Sequence, residues 1–68
     1  MPWIKNKVTQ ENVEHIEGES NDEIEAKFLE WIGGQRNQGR TAQESEQFPG
    51  EWSINDQQGF IAIYFLDW

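Results

Sequence analysis

Cysteine is absent from these 68 residues, so neither a disulfide nor a thiolate metal site holds the chain together. Histidine occurs once, at His15, which excludes a His-rich metal site within one chain. Basic side chains are scarce: 5 Lys and Arg against 13 Asp and Glu give a formal net charge of -8. Phosphate backbones are gripped by clustered Lys and Arg, so nucleic acid is not an expected partner, and neither is an anionic membrane surface. No apolar run approaches the roughly 20 residues that cross a bilayer. The segment Met1-Pro2-Trp3-Ile4-Lys5 lacks the apolar stretch and small-residue cleavage site of a signal peptide, and the expected home is cytoplasmic.

Aromatic residues, by contrast, are dense, with 4 Trp, 4 Phe and 1 Tyr. Aromatic side chains bury large areas and also anchor interfaces, so a short chain can use them for either purpose. A single domain spanning residues 1–68 is expected. Domains of this size are marginal alone and recruit a disulfide, a metal or a partner subunit. With the first two removed, the partner subunit is the remaining staple.

The chain opens with an extended stretch, Trp3 to Val8, in which Ile4, Asn6 and Val8 share one side and Lys5 and Lys7 the other. Thr9 to Glu17 fits two patterns. Val13 and Ile16 have helical spacing behind a Thr9 cap, yet a strand within 3–17 is preferred. The next element is better defined. Ser20-Asn21-Asp22-Glu23 matches a capping box, and Ile24, Phe28, Trp31 and Ile32 form one apolar stripe. This predicts a helix over 21–32, with Glu23, Ala26 and Glu30 on its wet face and Gly33-Gly34 as the stop. A polar loop follows over 33–50, in which Thr41-Ala42-Gln43-Glu44 is a second capping box that predicts a helical turn near 42–47. Phe48 would anchor that turn, ahead of a Pro49-Gly50 bend. Trp52 to Trp68 reads as a hairpin turning at Asn55–Gly59.

The resulting fold class is α+β, in the order β-α-β-β, with one amphipathic helix packed on a small antiparallel sheet. That order is similar to the one found in dodecin-like subunits, a likeness of topology without their ligand-contact pattern.

The last strand carries the most information. Phe60, Ala62, Tyr64, Leu66 and Trp68 alternate with Ile61, Ile63, Phe65 and Asp67, so both faces are apolar. One short helix covers one face of a sheet. Leaving about three large apolar side chains in water forgoes roughly 1.5–3 kcal/mol each, more than so small a domain can spare. A homo-oligomer, most simply a two-fold dimer, is therefore expected. The alternative is that loop 33–50 folds over the second face through Phe48.

Chemistry has few candidates. His15 lies among Glu11, Glu14 and Glu17, but a catalytic site needs a positioned second group and a pocket. Glu23 and Glu30, at i and i+7 on a wet helix face, have nothing to raise a carboxylate pKa. Gly33 to Arg40 follows a helix rather than leading into one, so its glycines cap rather than cradle phosphate, and the Walker pattern is missing. No cofactor is expected. The carboxylates from Glu11 to Glu30 form an acidic surface suited to a basic protein, or simply a solvated face. Arg36, Arg40, Trp52, Tyr64 and Trp68 are the residues expected to meet a partner.

These features point to a small acidic, non-enzymatic protein-interaction module that self-associates, of the kind that serves as an accessory or mobile-element protein. The competing function is an oligomeric binder of a flat aromatic small molecule, held by tryptophans at subunit interfaces and drawn from Trp3, Trp31, Trp52 and Trp68.

Overall fold

A computed structural model of the protein describes residues 2–68. Of the segment read for targeting, Met1 lies outside the described residues. The elements run β1 (Trp3–Asn6), β2 (Asn12–His15), α1 (Asn21–Asn37), β3 (Thr41–Glu44), β4 (Trp52–Asp56) and β5 (Gly59–Asp67). The strands form one sheet in the order β2-β1-β5-β4-β3, and every neighbouring pair is antiparallel.

The α+β class, with one helix on an antiparallel sheet, holds. The strand count does not: two strands precede the helix and three follow it, so the likeness to dodecin-like subunits ends there. The ambiguous stretch after Val8 is the second arm of a hairpin. Asn6 builds its turn, with Oδ1 accepting from the Val8 and Thr9 amides at 2.9 and 3.4 Å. Gln10 completes it at φ 63°, a conformation that non-glycine residues adopt rarely. Val8 is an exposed turn residue, not part of a strand.

At its start α1 behaves as its sequence dictates. The Ser20 hydroxyl accepts from the Glu23 amide at 3.2 Å, and the Glu23 carboxylate accepts from the Glu19 amide at 2.9 Å. Its end differs from the expectation. Gly33 and Gly34 do not stop the helix, which continues to Asn37 because its buried stripe continues through Ile24, Phe28, Ile32 and Gln35. The stop is Gly39, at φ 82°. Its amide donates to the Arg36 carbonyl at 3.1 Å while the Arg40 amide donates to the Gln35 carbonyl at 3.3 Å, a Schellman ending.

The expected helical turn at 42–47 is also overturned. Thr41 to Glu44 pair with Asn55 to Trp52 as an edge strand. Pairing to a strongly β-forming partner outweighs a local cap signal. The β4–β5 hairpin matches its prediction: Asp56 Oδ1 accepts from the Gln58 and Gly59 amides at 2.8 and 3.0 Å, and Gly59 takes φ 127°.

The core is a cluster of Ile4, Ile16, Ile24, Phe28, Ile32 and Ile54 between helix and sheet, with Ile4 and Ile54 fully buried. Strict alternation along β5 breaks at a bulge, where Ile54 faces Ala62 but Asn55 faces Phe60. The extra residue, Ile61, consequently packs against the core, and Phe60 is left exposed. This reverses the two residues' expected faces. A second bulge between Ile4 and Lys5 leaves Val13 of β2 without an opposite residue.

Candidate functional site

The face of the sheet turned away from α1 has no helix or strand lying over it among the described residues. Register places on it Trp3 and His15 as a pair, then Lys5 beside Phe65, then Ser53 beside Ile63, then Asn55 beside Phe60. Trp3 and His15 meet with ring centroids 5.0 Å apart. Phe60 is 55% exposed, while Ile63 and Phe65 are half-buried.

The loop after β3 reaches one corner of this face. Lys7 Nζ donates to both Glu51 carboxylate oxygens at 2.8 and 3.0 Å and sits 4.7 Å from the Phe48 ring centroid. That cation–π contact and ion pair pin the loop to the end of β1. Phe48 nevertheless remains half exposed, and the hollow beside it is lined by Ser53 and Ile63. The loop lies at the level of Ile63 and leaves Trp3 and Phe65 open towards one end of β5 and Phe60 open at the other.

Charge is distributed unevenly between the faces. On the outer face Lys5 faces Asp67 at 3.4 Å and Lys7 pairs with Glu51 at 2.8 Å. With these four balanced, the formal charge of -8 falls on the remaining residues, among them Glu44 and Glu46 at the hollow beside Phe48.

On the other side, where α1 passes the end of β4 and β5, lies a groove of about 470 Å3 bounded by Phe28, Leu29, Trp52, Leu66 and Trp68. A shallower hollow of about 530 Å3 sits between β2 and α1, among Glu14, Glu17, Lys27, Glu30 and Trp31. His15 borders it and approaches Glu17 only to 3.8 Å, beyond hydrogen-bond range, and His15 Nε2 is buried without a partner. The described residues contain no group of three His, Asp or Glu side chains arranged to hold a metal ion.

The residues expected to meet a partner separate into two sets. Arg36 donates to the Ala42 carbonyl at 3.0 Å and Arg40 to the Gln35 side-chain oxygen at 2.7 Å, so both tie the helix end to β3. Trp52 and Trp68 line the same groove. Tyr64 pairs with Trp52 across the sheet and packs edge-on against Trp31, with centroids 4.9 Å apart. The four tryptophans therefore occupy three places: Trp3 on the outer face, Trp31 against the core, and Trp52 with Trp68 at the groove. Sequence reasoning missed Leu29. Its place one residue past Phe28, off the core stripe, is the signal that identifies it.

One carboxylate has a resolved shift. The Glu19 amide, and then the charge of Lys27 at 3.5 Å, hold Glu23 below its ordinary pKa. This is the helix cap at work, and the group is exposed.

No helix among the described residues is long and apolar enough to cross a membrane. Comparison with protein-family models, curated proteins and solved structures finds no match.

Proposed function

We propose that this chain is a non-enzymatic interaction protein that works as a dimer, joined through the outer faces of its two sheets. The observation carrying this reading is the coincidence of low charge and apolar surface. In a chain of net charge -8, the centre of the outer face holds two balanced ion pairs, and Trp3, Phe65, Ile63 and Phe60 are spread along it from one end of β5 to the other. Two strongly acidic copies repel least where their carboxylates are balanced by lysines. Joining them there leaves both helices and their carboxylates outward, available to a basic protein.

Size sets the expected strength. Five strands about 4.8 Å apart and roughly five residues long offer a face of about 20 by 17 Å. Two such faces cover about 700 Å2 in total, the size of weak, transient contacts rather than of stable interfaces. A reversible dimer with a Kd of tens of micromolar or weaker is expected. Sedimentation velocity from about 1 to 500 μM tests it, a range centred on that affinity. Wild-type protein should shift from monomer to dimer, and Phe60→Lys combined with Phe65→Lys should stay monomeric with an unchanged circular dichroism spectrum. Wild-type protein that remains monomeric throughout would refute the dimer.

A further inference from the structure

The groove beside α1 has an apolar floor of Phe28, Trp52 and Leu66 and holds about 470 Å3, room for one or two large side chains. Its lips are Leu29 on the helix and Trp68 beyond β5, which remain 50% and 55% exposed. Neither belongs to the core cluster, so folding leaves both largely in water.

Three carboxylates stand around this trough: Glu25, one helical turn before Leu29, and Glu44 and Glu51 on the opposite side. Glu51 is already balanced by Lys7. Glu44 accepts only the Gly50 amide, at 3.0 Å, and the ion pairs of the described residues include neither Glu44 nor Glu25. The groove thus joins an unfilled apolar slot to two uncompensated negative charges. An uncharged apolar occupant would strip water from those carboxylates without replacing it, and an anionic occupant would be repelled. An apolar side chain flanked by cations satisfies both features.

We propose that the groove binds a basic amphipathic segment of another protein. One aliphatic or aromatic side chain of that segment seats between Leu29 and Trp68, while neighbouring Lys or Arg residues reach Glu25 and Glu44. This goes beyond the dimer: Phe65 and Glu51 border the groove as well as the outer face, but its lips, Leu29 and Trp68, belong to no residue pair of that face.

The test uses a synthetic peptide repeating Leu-Lys-Lys-Leu against the full chain, followed by calorimetry and tryptophan fluorescence at low and high salt. Saturable binding of one peptide per chain, weakened by salt, is expected. Leu29→Asp and Trp68→Ala should each lose roughly ten-fold in affinity. Glu25→Gln with Glu44→Gln should also weaken binding and flatten its salt dependence. All four positions lie outside the core, so circular dichroism should stay unchanged. The proposal is overturned if oligolysine or a Leu-Glu-Glu-Leu peptide binds as well, or if Leu29→Asp and Trp68→Ala bind normally. A change of oligomeric state in Leu29→Asp would instead make the groove an interface between copies and overturn it too. Phe60→Lys alone, at an outer-face position away from the groove lining, should weaken the dimer yet bind the peptide as wild type does, so failure of the dimer and failure of the groove are separable.

Discussion

Replacing Gly33 and Gly34 with alanine should make this protein more stable. Both glycines lie inside α1, which ends at Asn37. Neither has positive φ, a conformation reserved here among the glycines for Gly39, Gly50 and Gly59. A Cβ built at either position meets no heavy atom within 4 Å, so alanine neither clashes nor gains packing. What remains is the backbone effect. Glycine in a helix interior is about 0.8–1.0 kcal/mol worse than alanine, chiefly because the unfolded chain loses more freedom. Each substitution should therefore add about 0.8 kcal/mol, and the pair about 1.6 kcal/mol. Unfolding entropy near 2.1 cal/mol/K per residue gives roughly 0.14 kcal/mol/K for a chain of this length, so the double variant should melt about 11 °C higher. Circular dichroism melts, with urea titrations at unchanged slope, measure this directly. Gly39→Ala is the internal control: at φ 82° it should cost about 1 kcal/mol. Loss of stability in Gly33→Ala or Gly34→Ala, with Gly39→Ala neutral, would move the helix end back to Ile32 and refute the described ending.

Other expectations follow from the same contacts. Ser20→Ala removes the acceptor for the Glu23 amide and should cost about 1 kcal/mol in a urea titration, with Ser20→Asp restoring most of it. Glu23 is held below its ordinary pKa, so its contribution is present above the unfolded carboxylate range and fades as pH falls through the lowered folded value; Glu23→Gln should remove that part of the acid sensitivity and leave melts above neutrality parallel to wild type. Gln10→Gly relieves a left-handed backbone in the β1–β2 turn and should raise stability by up to about 1 kcal/mol, read from the urea midpoint. Ile54→Ala opens a void at a fully buried position and should cost about 2–5 kcal/mol, enough to leave much of the protein unfolded at room temperature by circular dichroism.

The sequence was most readable where local chemistry and burial agree. Ser20, Glu23 and the Ile24, Phe28, Ile32 stripe announce the start and the inner face of α1. The Asp56–Gly59 turn likewise announces the last hairpin. Elsewhere two local signals competed and a distant contact decided between them. Gly33-Gly34 and Gly39 are both plausible helix stops, and burial of Gln35, which depends on the finished fold, selects the second. Thr41-Ala42-Gln43-Glu44 carries a helix cap, but Trp52–Asp56 offers it a partner strand. The β5 bulge could not be read from alternation at all, since Phe60 and Ile61 are both apolar and only the Asn55 pairing distinguishes them. The candidate site was legible in part. Trp52 and Trp68 stand out in the sequence as aromatic anchors and share a groove, whereas Arg36 and Arg40 are engaged by the chain's own helix–strand joint.

The two outermost strands, β2 and β3, are four residues each. A kink interrupts one, and on the other a guanidinium rests against the Ala42 carbonyl. Ribbons so brief and so irregular make poor templates for recruiting further ribbons sideways. For a polypeptide this rich in aromatic and branched side chains, such edges disfavour lateral stacking into fibres and favour contacts made from above or below the sheet.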